Sequence, residues 1–204
     1  MMSREKPYKN IDNDKIPQWG EPAQSVAPFV PTPLNVVKKM LELAKAGPND
    51  TLYDLGCGDG RILFTAIEKF NVKKAIGIDL NPTLVRKVEL MIKEKELEGR
   101  VEIHNKNFFN VDLAPATLVT LYLTTSGNLK LRPKFEEELT AGTRVVSHDF
   151  PINGWDTSRK SSPQHYTTGS HKIFLYYLPE AYKNRVKKGE KSSWKRIRDR
   201  ILRS

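Results

Sequence analysis

The chain has 204 residues, 38% of them hydrophobic, and a formal charge of +10 at neutral pH; that length supports one domain with decorations around one buried core. A single cysteine excludes a disulfide framework, and nowhere do eighteen apolar residues run together to span a membrane. The charge is uneven: residues 181–204 hold ten Lys/Arg against Glu190 and Asp199, a net +8, and the rest is nearly neutral. A basic tail points to an accessory contact, whereas a basic catalytic face would point to a nucleic-acid substrate.

Residues 1–27 are polar and proline-punctuated and read as an extended arm. They lack the apolar core of a signal peptide, and Glu5, Asp12 and Asp14 speak against a mitochondrial presequence, so the cytoplasm is the expected compartment. Thr32 suits an N-cap and Pro33 the first turn of a helix with an apolar stripe at Leu34, Val37, Met40, Leu41 and Ala44. Gly47-Pro48-Asn49-Asp50 ends that helix. A strand is predicted over 51–55, a helix over 61–70 and a strand over 74–80. Asn81-Pro82 then opens a helix to about residue 98, with Leu84, Val88, Met91 and Ile92 on one face. Strands follow over 101–104 and 117–123, the second an almost unbroken apolar run that suits a central parallel strand. A helix over 126–139, made irregular by Pro133, leads to a strand over 144–147. A looser stretch over 151–169 has room for one strand, and 171–178 is a last strand of good β-formers. Alternating strands and helices with a closing antiparallel pair predict an α/β doubly wound, Rossmann-like sheet.

The densest motif is Tyr53-Asp54-Leu55-Gly56-Cys57-Gly58-Asp59-Gly60-Arg61. Gly56, Gly58 and Gly60 permit positive φ and close approach of a ligand to the backbone. The spacing is G-x-G-x-G, and the dinucleotide fingerprint would need glycine where Arg61 stands. Asp54, two positions before the first glycine, would repel a pyrophosphate and welcome an ammonium group. Asp79 lies nineteen residues after Gly60 at the end of a strand, where a carboxylate can grip ribose hydroxyls. Cys57 inside the turn reads as a small side chain in a tight place. The four histidines (His104, His148, His165 and His171) show no metal-ligand spacing, and no metal is expected.

This turn, with Asp54, Asp79 and the strand–helix–strand frame, resembles the class I seven-strand S-adenosylmethionine-dependent methyltransferases. Over about 28–178 the F-V-P-T-P, Y-D-L-G-C-G-D-G-R, L-Y-L and V-S-H-D-F segments occur in the order seen in the archaeal protein lysine methyltransferases and the related mitochondrial lysine methyltransferases. The resemblance implies a seven-stranded sheet and S-adenosylmethionine as cofactor, with the P-T-P segment closing over it. Thr32 would contact the cofactor's methionine carboxylate, Asp54 its amino group and Asp79 its ribose. Asn107 stands where relatives often place an acid that accepts from the adenine amino group, and its amide oxygen can accept the same bond. Phe108 or Phe109 would flank the base, with a plain core role the alternative. Phe29 would line the lysine channel.

The implied reaction is displacement at the sulfonium methyl by a lysine ε-amine of a protein substrate. Tyr122, following the central strand, is the expected main channel residue, because aromatic faces keep the amine desolvated and attract the methylated ammonium as it forms. His148 and Asp149 are candidates for accepting the amine's proton, or for fixing the loop at the channel rim. A methyltransferase acting on RNA is the alternative substrate class, supported by the basic tail. Against it, no N-P-P-Y or D-P-P-Y tetrapeptide occupies the place of Leu121-Tyr122-Leu123-Thr124. A cofactor-binding module without catalysis is a third reading. The expected layout is an arm over 1–27, a methyltransferase domain over 28–180 and a basic tail over 181–204. Trp194, Ile197 and Ile201 give that tail a short amphipathic helix suited to nucleic acid, an anionic surface or docking on its own domain. A monomer is expected.

Overall fold

Residue periodicity is converted into three layers in a computed structural model, which describes residues 30–183. Seven strands form one sheet in the order β3-β2-β1-β4-β5-β7-β6. They are β1 (Thr51–Leu55), β2 (Lys74–Asp79), β3 (Val101–Asn105), β4 (Leu118–Leu121), β5 (Arg144–His148), β6 (Tyr166–Thr168) and β7 (His171–Tyr177). The first five run parallel; β7 enters antiparallel between β5 and β6. Helices α1 (Leu34–Leu43), α2 (Arg61–Phe70) and α3 (Pro82–Glu94) contribute to the core on one face. Helix α4 (Thr125–Glu138), a short 3₁₀ turn (Phe108–Asn110) and the segment through Trp155 cover the other. The doubly wound sheet is therefore as expected, and because both faces are covered, β1 and β4 are buried almost throughout.

Several boundaries differ from the sequence reading, each for a local reason. Helix α3 stops at Glu94, short of residue 98, because Glu96 adopts a left-handed backbone and the Leu97 N–H turns back to the Ile92 carbonyl. Its buried face carries Val85 beside Val88 and Ile92. Leu34 lies outside the α1 stripe and is exposed, and Val36 fills the core instead. Strand β4 ends at Leu121, so Tyr122 and Leu123 leave the sheet as a loop; Leu123 folds back over Gly56, and the Thr124 hydroxyl caps α4 by accepting from the Gly127 N–H at 3.1 Å. The first residues of the expected tail pack on the domain. Ala181 is buried, its carbonyl accepts from the Asp156 N–H at 2.7 Å, and the Tyr182 ring lies 5.9 Å from that of Trp155. Trp194, Ile197 and Ile201 lie outside the described residues, as does the arm over 1–27.

One glycine sets the distance between α2 and the sheet. A Cβ on Gly77 of β2 would lie 2.6 Å from Leu63 Cδ1 and 2.7 Å from Cys57 Sγ. Cys57 is buried against that strand, which accounts for a small side chain inside the turn. Among the described residues no helix is long and apolar enough to cross a membrane.

Candidate active site

The carboxyl ends of β1, β2, β4 and β5 lie side by side, the edge at which open α/β sheets bind ligands. At β1 the chain turns through Gly56, Gly58 and Gly60 at φ of 80°, 56° and 76°, a backbone that other residues rarely adopt. The Gly56 and Cys57 N–H groups both donate to the Ile78 carbonyl, and Gly60 is the residue preceding α2. Asp54 is buried under this turn, accepting a 2.8 Å bond from the Thr120 hydroxyl. Burial lifts its carboxyl to about 7, against the lowering effect of Thr120, and the charges of Asp79 and Asp59 push the same way as burial.

Asp79, at the end of β2, accepts from the Gly58 N–H at 2.8 Å and the Asn81 N–H at 2.9 Å. Its carboxylate thus braces the glycine turn as well as facing the ligand edge. Asp59 is held below the usual carboxylate range by its bonds to the Arg61 guanidinium, 2.9 Å from Nε and 2.5 Å from Nη2. Asp59 is thereby neutralised, and Asp54 and Asp79 remain as the two carboxyls at the glycine turn, a setting that favours a cation over a pyrophosphate. Asn107 caps the 3₁₀ turn, its Oδ1 accepting from the Phe109 N–H at 3.0 Å, which leaves a second lone pair and the amide N–H₂. Phe108 and Phe109 are both buried in the core with ring centroids 5.0 Å apart.

A second cluster forms where β4 and β5 end and β7 begins. The His148 ring is fully buried; Nδ1 lies 3.1 Å from the Thr32 hydroxyl, and Nε2 lies 2.9 Å from His171 Nδ1 and 3.2 Å from Asp149 Oδ2. The Tyr122 ring sits 3.9 Å from the His148 ring, stacks 6.2 Å from Phe150, and its hydroxyl donates to Asp149 at 3.5 Å. Burial pushes the His148 imidazole down to about 4, against the pull of the Asp149 charge, so it is neutral at pH 7 with both nitrogens engaged. Burial and then the Asp149 charge raise the Tyr122 phenol, which stays protonated. Burial also raises the Asp149 carboxyl, but the Lys172 backbone N–H at 2.8 Å and the two imidazoles outweigh it and hold it below the usual range.

Thr32 is not the cap of α1: Pro33 holds that position and no side chain caps the helix. The Thr32 side chain turns inward to His148, and its carbonyl accepts from Arg61 Nη1 at 2.9 Å. The segment ahead of α1 is therefore tied to both clusters. Phe29 lies outside the described residues. The sequence reading passed over three residues that shape this edge. His171 joins His148 through the β5–β7 register, and Arg61 joins the glycine turn to Thr32. Asn128 on α4 donates to the Ser147 hydroxyl and to the Phe150 and Pro151 carbonyls, fixing the turn that carries Asp149. Only Arg61 had a signal in the sequence, as the residue that breaks the dinucleotide fingerprint.

The family model described as the ANTKMT methyltransferase domain matches residues 54–159. The chain belongs to this methyltransferase family. A protein-lysine N-methyltransferase of Saccharolobus islandicus is 46% identical over 153 residues, which cover 75% of this chain and 94% of that protein. The adenine nucleotide translocase lysine N-methyltransferase of Mus musculus is 33% identical over 134 residues, 66% of this chain and 58% of the mouse protein. Among solved structures, an RNA methyltransferase from Salinibacter ruber in complex with S-adenosyl-L-homocysteine is 41% identical with a TM-score of 0.69, covering 74% of this chain and 95% of that one. The matched stretch of this family member includes the glycine turn, Asp79, Tyr122 and the His148–Asp149 pair.

Proposed function

We propose that this methyltransferase binds S-adenosylmethionine along the edge built by Asp54, the glycine turn and Asp79, and methylates lysine ε-amines of protein substrates that enter past Tyr122. The observation that carries this reading is the pairing on one sheet edge of an acid-lined glycine turn with an aromatic wall of Tyr122 and Phe150. The family and its protein-lysine methyltransferase relatives support the same substrate class. When bound, the cofactor supplies an electrophilic sulfonium methyl, and the reaction leaves S-adenosylhomocysteine and a methylated amine.

The residues fit that cofactor by the chemistry of their donors. Asp54 accepts from its ammonium group, and the ionised form of the buried carboxylate is stabilised by that contact. Asp79 accepts from the ribose hydroxyls while its bonds to Gly58 and Asn81 hold it still. With His148 Nδ1–H as the donor across their 3.1 Å contact, the Thr32 hydroxyl keeps its own proton for the methionine carboxylate. Asn107 and Phe108 serve the adenine, the first through its free amide positions and the second as the floor beneath them.

Tyr122 presents an aromatic face and a protonated hydroxyl whose lone pairs remain open to the entering amine. Its ring and that of Phe150 strip water from the lysine, which lowers the amine's pKa and favours the neutral nucleophile. His148 and Asp149 hold the channel wall in place; the fully buried ring of His148, engaged at both nitrogens, is a support and not a proton acceptor. Phe29 keeps its assignment as a further aromatic for the lysine side chain.

The same proposal takes the protein as a cytoplasmic monomer. It keeps the layout of a methyltransferase domain over 28–180 and a basic tail over 181–204 that is available to nucleic acid or an anionic surface. The Salinibacter neighbour, titled an RNA methyltransferase, favours RNA as the second reading. One experiment separates the two: methyl transfer from labelled S-adenosylmethionine to a cell extract, divided between nuclease and protease treatment, with mass spectrometry of the products. Label that survives nuclease and maps to lysine ε-amines is the expected result. Label lost with nuclease would overturn the lysine assignment in favour of RNA.

A further inference from the structure

His148 Nε2, His171 Nδ1 and Asp149 Oδ2 form a nearly equilateral triangle with edges of 2.9, 3.2 and 3.2 Å. Each ring nitrogen is either a donor or an acceptor, never both. With Asp149 ionised, as the 2.8 Å bond from the Lys172 N–H favours, both nitrogens must donate to it. Two N–H groups would then face each other across the 2.9 Å edge. If either nitrogen instead accepts from the other, its lone pair faces the carboxylate. A proton on His171 Nδ1 can serve both of its edges, but it leaves the His148 Nε2 lone pair against the carboxylate across the remaining 3.2 Å edge, so protons alone leave that edge repulsive. A cation at its centre satisfies all three donors at once.

The dimensions agree with that. Metal–ligand bonds of about 2.1 Å at tetrahedral angles separate the donor atoms by about 3.4 Å, so opening the triangle by a few tenths of an ångström seats a tetrahedral ion. The backbone is also arranged for convergence. Successive residues of a strand point to opposite faces, yet His148 and Asp149 reach the same point because Asp149 takes a left-handed backbone at φ 56°. The outer shell is present as well: His148 Nδ1 meets the Thr32 hydroxyl at 3.1 Å, and with Nδ1–H donating to that oxygen the Nε2 lone pair is the one presented to an ion. Asp149 and His171 are partly exposed, so an ion can enter and water can complete its coordination.

We infer that His148, Asp149 and His171 bind a divalent transition-metal ion, with zinc the ion best matched to two imidazoles and a carboxylate. The ion clamps the end of β5 to the start of β7 and, through His148, to the segment ahead of α1. This inference does not depend on which acceptor is methylated. It reverses the sequence expectation of no metal, which rested on spacing: 23 residues separate His148 from His171, and only the antiparallel register brings them together.

The test uses the untagged full chain, dialysed against a chelator and titrated with zinc by calorimetry. One ion per chain is expected, with His171→Ala and Asp149→Asn each weakening uptake at least tenfold and His104→Ala leaving it unchanged. X-ray absorption at the zinc edge of the wild-type protein counts the imidazole ligands independently of any variant, and two are expected. Absence of stoichiometric uptake, uptake indifferent to both substitutions, or fewer than two imidazoles on the ion would overturn the assignment.

Discussion

The glycine turn and the histidine corner sit on the same sheet edge but are built by opposite means. In the turn, nine consecutive residues make their own geometry: three glycines take positive φ, and the acid that braces them closes from the next strand in order. In the corner, Thr32, Tyr122, His148, Asp149 and His171 come from four separate segments, and the Thr32–His148 bond spans 116 residues. The turn is a local solution to ligand approach, and the corner is a product of topology. The first depends on two consecutive strands and the helix between them, while the second depends on every distant element that delivers a member.

This contrast can be broken most severely at Asp79. It holds the Gly58 N–H of the turn and the Asn81 N–H ahead of α3 and is assigned two ribose hydroxyls, and hydrogen bonds to a charged group contribute about 1.5–3 kcal/mol each. Asp79→Ala is expected to weaken S-adenosylmethionine binding by more than about a hundredfold, at roughly 1.4 kcal/mol per tenfold, with the histidine corner intact. Calorimetry that returned wild-type affinity would remove the cofactor from this edge.

The corner yields a smaller and different effect. Thr32→Val keeps the shape of the side chain and leaves a buried His148 nitrogen without its partner, a loss of about 1–3 kcal/mol. A lower melting temperature is expected, with cofactor affinity falling less than for Asp79→Ala. Unchanged stability would mean that the Thr32–His148 bond is no tether.

The mildest test is pH. Asp54 has its carboxyl raised by burial to about 7 from an ordinary value of 3.8. The free protein therefore binds this proton more tightly than the unfolded chain does, and Asp54 lowers stability as pH rises from about 4 through 7. Cofactor binding works in the other direction, since an ammonium partner requires the ionised form. Affinity should rise with pH by up to tenfold per unit below about 7 and level off above it. Asp54→Asn should flatten that profile; a profile unchanged by the substitution would detach the ammonium from Asp54.

The same contrast explains what the residues disclosed in advance. The bounds of β1 and α2, the left-handed glycines and the places of Asp54 and Asp79 at strand ends were legible because all lie within one strand–turn–helix–strand run. Thr32 was misread for the complementary reason. A threonine before Pro33 satisfies a local capping rule, yet burial against His148 offers its hydroxyl a partner that no short-range rule contains. His171 gave no sign of a role, because the register of β7 on β5 is not written in the spacing of histidines. Tyr122 is assigned to the channel from its place at the end of the central strand, which stops one residue before it.

Gly77 carries a consequence for how variation in this enzyme should be read. The missing methyl on β2 lets α2 rest on the sheet, and α2 begins at the last glycine of the ligand turn. Any side chain there acts as a wedge, tilting the helix and carrying the turn with it, although residue 77 has no assigned part in binding. A genetic screen for loss of methyl transfer would recover Gly77 beside the binding residues, and only a fold measurement would tell a bent frame from a missing contact.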